Sequence, residues 1–315
     1  MTSRRWFGAG AAMASLALPA LLGQSSLSVY VLFELTAIVT VGISLLMGYA
    51  GQVSLGQAAF YASGGYAAAL LSLHGFPTLV ALAVAPVVAA AFALLVGVPL
   101  LRLRGHHLAF ATLATQLICL SVVGRMKATG GDIGLQGIPR LSLGPLELDA
   151  DRQYAYVAWA ALALVVLVTR NVMASRPGRA LRALATSEVA AASSGVPVGR
   201  YKLAVFALAA AFAGLSGGVY AFYVGYVAPG SFPVLLSFEY VVMAVVGGLG
   251  TIEGALVGAA SITLVVRLLN HIATLSGMPS YAPSVFSYAA YSLLLIVAVL
   301  FRPEGIMGKE RARSV

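Results

Sequence analysis

Charge is what this chain has little of. Only 9% of its 315 residues are Asp, Glu, Lys or Arg, while 60% are hydrophobic. A soluble domain carries about a quarter of its residues charged to cover its surface, so the outer surface of this one faces lipid. Cysteine is reduced to Cys119, inside an apolar run, which excludes an intrachain disulfide. No G-x-x-x-x-G-K-[ST] occurs, so the chain binds no nucleotide through a P-loop. Four dispersed histidines and one cysteine supply neither a metal cluster nor a nucleophile–base pair. The expectation is no metal, no cofactor held by this chain and no enzymatic activity of its own. The short alternating segments of a membrane β-barrel are missing as well.

What is present is a series of long runs rich in Ala, Leu and Val. A bilayer core of about 30 Å needs roughly 20 apolar residues per helix. Such runs lie at Gly8–Leu22, Ser28–Met47, Leu55–Leu73, Thr78–Leu101, Leu108–Val123, Tyr154–Thr169, Lys202–Gly225, Pro233–Val246, Ile252–Leu269 and Ala282–Phe301. The class is all-α, a polytopic membrane protein of about ten helices. We treat residues 1–315 as one transmembrane domain, with loops at 124–152 and 176–200.

The net charge of +9 reads as the positive-inside rule rather than as nucleic-acid binding. With a cytoplasmic N-terminus, fourteen of the nineteen basic residues fall inside: Arg4, Arg5, Arg102, Arg104, Arg170, Arg176, Arg179, Arg182, Arg200, Lys202, Arg302, Lys309, Arg311 and Arg313. The outer loop 124–152 balances Arg125, Lys127, Arg140 and Arg152 with Asp132, Glu147, Asp149 and Asp151. Both termini are then cytoplasmic. SRRWF at Ser3–Phe7, before a short apolar stretch, has a rival reading as a cleaved signal peptide. Its removal leaves every later span in the same orientation.

One stretch breaks the apolar monotony. GYAGQVSLGQAAF, Gly48–Phe60, gathers Gly48, Gly51 and Gly56 with the neutral polar residues Gln52, Ser54 and Gln57. In lipid, irregular backbone is tolerated only inside protein or along an aqueous path. Two readings stand open: an element lining a path for a polar solute, or a short cytoplasmic turn. VVGGLGTIEGALVGAA, Val245–Ala260, repeats the pattern with Gly247, Gly248 and Gly250. The two are candidate corresponding breaks in related halves, an arrangement that marks transport sites. Glu34 and Glu239 fall inside proposed helices and are functional candidates, because intramembrane acids are costly. Glu253 sits at the second break.

These strings, with LRLRGHHLAFATL at Leu101–Leu113, TGGDIGLQGIP at Thr129–Pro139, the run Gly178–Gly218 and FRPEGIMG at Phe301–Gly308, resemble the permeases of branched-chain amino-acid ABC importers, the LivM type. The resemblance runs from about Gly42 to Gly308. It implies a bacterial inner-membrane subunit that works with a second related permease, two cytoplasmic P-loop ATPases and a periplasmic binding protein. The family usually reads Gly-Asp-Tyr or similar, then a Glu past Thr-Leu; this chain has His106, His107 and Gln116 there. Urea permeases are similar too, so a urea or short-amide substrate is the alternative. An ion-coupled carrier fits less well, since it needs several intramembrane charges in one region.

Gly178–Gly195 reads as a single helix between Pro177 and the stop at Gly195 and Pro197. A wheel puts Leu181, Leu184, Ala185, Val189 and Ala192 on one side, and Arg179 and Arg182 on the other. Glu188 falls within the apolar stripe, where an unpaired acid is costly, so it is expected to meet a donor on a partner. The set Glu188, Ala190, Ala191 and Gly195 resembles the loop through which ABC importer permeases dock on their ATPases. The competing reading is an amphipathic helix on the anionic inner leaflet.

Overall fold

A computed structural model describes residues 15–20, 22–103, 105–144, 146–273, 293 and 305–307. Ten helices are delimited among these residues: α1 (Gln24–Ala50), α2 (Gln57–Leu73), α3 (Thr78–Leu100), α4 (His106–Arg125), α5 (Asp151–Ala174), α6 (Arg176–Thr186), α7 (Glu188–Ser193), α8 (Val198–Val224), α9 (Val234–Gly247) and α10 (Ile252–Ala273). Six of them, and the stretch Pro229–Gly247 that adds a short turn ahead of α9, are long and apolar enough to cross a membrane, and α2, at 17 residues, is slightly shorter than these. The all-α polytopic class holds. Each of the eight inner apolar runs coincides with one helix. Most of Gly8–Leu22 and nearly all of Ala282–Phe301 lie outside the described residues, as do Arg4, Arg5, Arg104, Arg302, Lys309, Arg311 and Arg313.

The core is built on small residues. On α3 the buried positions Ala81, Ala85, Ala89, Ala93 and Gly97 recur every fourth residue and make one seam. Val87 and Leu95, off that seam, are 64% and 74% exposed, as a lipid-facing surface requires. Gly214 and Gly218 of α8 set their backbone against Ala85 of that seam. Such small-residue seams let membrane helices approach closely where no hydrophobic force drives them together. On the other side of α8, a Cβ at Gly64 of α2 meets the Gly214 carbonyl, and one at Gly217 meets that of Tyr61. Phe60 then fills the space between three helices, with its ring 5.6 Å from Phe92 and 5.3 Å from Phe206.

The segment between α4 and α5 folds down onto the helix ends. Two short antiparallel pairs form, Leu135–Gln136 with Tyr226–Val227 and Ser142–Leu143 with Leu146–Glu147. Arg140 meets Asp149 at 2.7 Å within this segment. The Tyr154 hydroxyl accepts from the Leu141 N–H and donates to the Phe222 carbonyl, tying the segment to α5 and α8.

The 176–200 segment corrects the expected single helix. Thr186 ends α6, Ser187 is extended, and α7 begins at Glu188. The Ser187 hydroxyl accepts from the Ala190 N–H, the usual N-cap bond. A wheel drawn through this joint is invalid, because each cap restarts the helical phase. Leu181 and Leu184 are buried as expected, yet Val189 is 77% exposed. Glu188 needs no donor from elsewhere, since its carboxylate takes one from Lys202 at 2.7 Å. The stop at Gly195 is as expected: φ is +80°, the Val196 N–H reaches the Ala191 carbonyl, and the Gly195 N–H reaches that of Ala192. This is the Schellman arrangement that satisfies terminal carbonyls.

Candidate functional site

The break after α1 is a genuine interruption of the helical path. Gly51 adopts φ +62°, residues 51–56 leave the helical path, and α2 restarts at Gln57. Within it Gln52, Ser54 and Gln57 are 4%, 1% and 0% exposed. Gln52 Oε1, Ser54 Oγ and both amide atoms of Gln57 have no hydrogen-bond partner among the described residues. Burying such groups unpaired costs on the order of 2–7 kcal/mol each in an apolar medium. An ordinary turn exposes its polar groups to water. This one hides them.

Around these groups stands a second polar set, most of which the sequence did not announce. Thr112 of α4 accepts from the Leu55 N–H at 2.9 Å, and its backbone carbonyl lies against Gly56. Ser237 of α9 accepts from the Ala58 N–H at 2.9 Å and donates to Gln116 Oε1 at 2.7 Å. Gln116 in turn donates to the Pro233 carbonyl at 3.4 Å. Both Gln116 and Ser237 are fully buried. Sequence had marked Gln116 only as a departure from the family pattern, while Thr112 and Ser237 gave no signal. The restart of α2 is therefore held by a bridge from α4 to α9.

The second break packs on the first. The Gly250 N–H donates to Ser44 of α1, and Tyr49 donates its hydroxyl to the Gly250 carbonyl at 2.8 Å. A Cβ at Gly48 would overlap the Gly250 backbone. Gly247 and Gly248 close α9, with Gly247 against the Gly254 carbonyl of α10. The carbonyls of Val246 and Gly247 are taken by the N–H groups of Ile306 and Met307, while Gly305 lies on Gly248.

The two acids stand apart from the polar set. Glu34 is 1% exposed, but it lies fourteen residues before Gly48, roughly 21 Å along the helix. Glu239 is half-buried on α9, two residues past Ser237 and so on a different face.

A cavity of about 710 Å³ joins the first break to the 176–200 segment. Gly51 and Gln52 line one end, and Glu188, Val189, Ser193 and Lys202 line the other. Its volume falls in the roughly 300–1,000 Å³ range of small-molecule sites. Ala191 is buried under α7, whereas Arg179 is exposed. Arg182 donates to the Met173 carbonyl at 2.6 Å and so closes the end of α5.

Residues 25–301 match the family described as "Branched-chain amino acid transport system / permease component". The chain belongs to this family. It is 30% identical to the high-affinity branched-chain amino acid transport system permease protein LivM of Escherichia coli K12, over 94% of this chain and 73% of that protein. It is also 27% identical to the permease protein LivH of the same organism and the same named system, over 50% of this chain and 49% of that one. In fold it resembles a chain of PsaBC from Streptococcus pneumoniae in complex with Fab, with a TM-score of 0.51, 12% identity and coverage of 93% and 97%. A permease component moves solute rather than transforming it. The family and the apolar helices agree on a multi-pass membrane protein.

Proposed function

We propose that this chain is the inner-membrane permease subunit of an ATP-driven importer of branched-chain or related small amino acids, with the break at residues 48–57 beside the solute path. The buried, unpaired Gln52, Ser54 and Gln57 carry this reading, because a neutral, polar, protein-enclosed lining suits a zwitterion leaving water. The nearby cavity continues from Gln52 to the Glu188–Lys202 pair, so the path opens beside the segment proposed to dock an ATPase. The likeness to LivM supports the substrate class. The weaker likeness to LivH supports a second, related permease beside it. Two cytoplasmic P-loop ATPases, a periplasmic binding protein and a cytoplasmic location for residues 176–200 complete the proposal.

The test is uptake by proteoliposomes containing this chain with a second permease, ATPases and a binding protein of the same kind of system from the same organism. ATP-dependent accumulation of labelled leucine, competed by isoleucine and valine, is the expected result. Accumulation of labelled urea with no response to leucine would transfer the assignment to an amide importer. Uptake driven by an ion gradient without ATP would overturn the importer class.

A further inference from the structure

A second cavity, of about 380 Å³, lies on a different side of α1 from the polar set around Gln57, between α1, α5 and α10. Its walls come from the last three turns of α1 (Val41, Leu45, Tyr49), the last turns of α5 (Thr169, Arg170, Met173) and the first turn of α10 (Ile252, Glu253). All three are ends of membrane helices, which places the cavity at headgroup depth rather than in the hydrocarbon.

Its polar groups are of opposite kinds and are not used by one another. The two ion pairs among the described residues are elsewhere, Arg140–Asp149 and Lys202–Glu188, so neither Arg170 nor Glu253 is neutralised by another described residue. Thr169, 1% exposed and lining the cavity, has an Oγ1 without a hydrogen-bond partner. The start of α10, a helix of 22 residues, opens here. Thr251 caps it by accepting from the Gly254 N–H, and the Gly250 N–H is taken by Ser44. The first N–H groups of a helix have no intrahelical acceptor and carry the positive end of its dipole. Arg170, that helix start and the Thr169 hydroxyl therefore favour an anionic group. Glu253, beside them, would oppose a simple anion and favours a cation with N–H donors.

We propose that this cavity binds a zwitterion carrying an anionic group and a primary ammonium, and that its natural occupant is the headgroup of an aminophospholipid. Depth and the apolar wall of Val41, Leu45 and Met173 favour a lipid, whose chains continue along α5 and α10. A free α-amino acid presents the same two groups, and the experiment separates the sources. The proposal is independent of the solute path, because the residues at the two places differ apart from the glycine breaks they share.

The full-length permease is purified in detergent and examined by native mass spectrometry with phosphatidylethanolamine, phosphatidylglycerol, phosphatidylcholine and leucine. Phosphatidylethanolamine should be retained over phosphatidylcholine, which lacks ammonium N–H groups, by roughly threefold, the scale of one exposed ion pair. Glu253→Gln should erase that preference, while Arg170→Gln should weaken phosphatidylethanolamine and phosphatidylglycerol alike. Both side chains are exposed, so the melting temperature without lipid should hold and report correct folding. Displacement of phosphatidylethanolamine by leucine from the wild type, but not from Glu253→Gln, would retain the site and make the occupant an amino acid. Equal retention of phosphatidylethanolamine and phosphatidylcholine by the wild type, with no response to either substitution, would overturn the proposal.

Discussion

Gly48 rests directly on Gly250, backbone against backbone, so that the two glycine-rich interruptions of this permease cross at one point. A methyl group at Gly48 would overlap the Gly250 backbone. Gly51, three residues on, has open space around it and owes its identity to φ +62° instead. Two glycines in one motif are thus required for different physical reasons.

That difference is measurable. Gly48→Ala should destabilise the permease by about 1–3 kcal/mol through overpacking. Gly51→Ala should cost about 1–2 kcal/mol, from the left-handed backbone alone. Asparagine tolerates that backbone, so Gly51→Asn should recover most of the loss while Gly48→Asn should be worse than Gly48→Ala. Melting temperatures in detergent rank the four variants, and a Gly51→Asn protein no better than Gly51→Ala would contradict the backbone explanation.

Removing the Ser237 hydroxyl strands two buried groups at once, the Ala58 N–H and Gln116 Oε1. Ser237→Ala should cost about 1–3 kcal/mol. Gln116→Ala combined with Ser237→Ala should cost less than the sum of the single changes, since the two belong to one network. A double-mutant cycle on thermal unfolding supplies the number, and strict additivity would mean the bridge is not a unit.

Accessibility tests the path. In a Cys119→Ser background, cysteine at Gln52, Ser54 or Gln57 should react with small hydrophilic thiol reagents. The rate should change on ATP turnover by the assembled importer. A cysteine at Phe60, packed between Phe92 and Phe206, should stay inert throughout. Equal inertness at all four positions in every state would leave the break as structure only.

The Glu188–Lys202 pair joins α7 to the head of α8 at the rim of the larger cavity. The Glu188 side chain is 47% exposed, so Glu188→Gln should change stability by no more than about 1 kcal/mol. Glu188→Gln, Lys202→Met and Gly195→Leu should nonetheless lower uptake per ATP hydrolysed, because each loosens the segment proposed to dock the ATPase. Unchanged ATPase co-purification and unchanged uptake in all three would return this segment to the inner leaflet.

The eight inner spans were legible because length and apolarity are local properties that lipid enforces on each run separately. The glycine breaks were legible for the same reason: glycines and amides are conspicuous in such a background. The bridge through Thr112, Gln116 and Ser237 was not, since a serine in an apolar helix reads alike whether it faces a carbonyl of its own turn or another helix. The single helix expected over Gly178–Gly195 failed at one residue, Ser187. Ser187 followed by Glu188 is itself a helix-start signal, but a continuous wheel drawn through it also gives one apolar side and so masks the restart. Lys202 was counted only as an inside charge, for nothing local says that a lysine reaches a glutamate fourteen residues earlier.

The bonds from Ile306 and Met307 to the end of α9 set an order of events during synthesis. The carbonyls of Val246 and Gly247 emerge from the ribosome long before their donors do. Until residues 305–307 are made, those two carbonyls lack the donors that close the second break. A chain truncated before Ile306 lacks both of these donors to the end of α9. The second break is in this sense closed from behind, by backbone that the ribosome adds only after α9 and α10 are made.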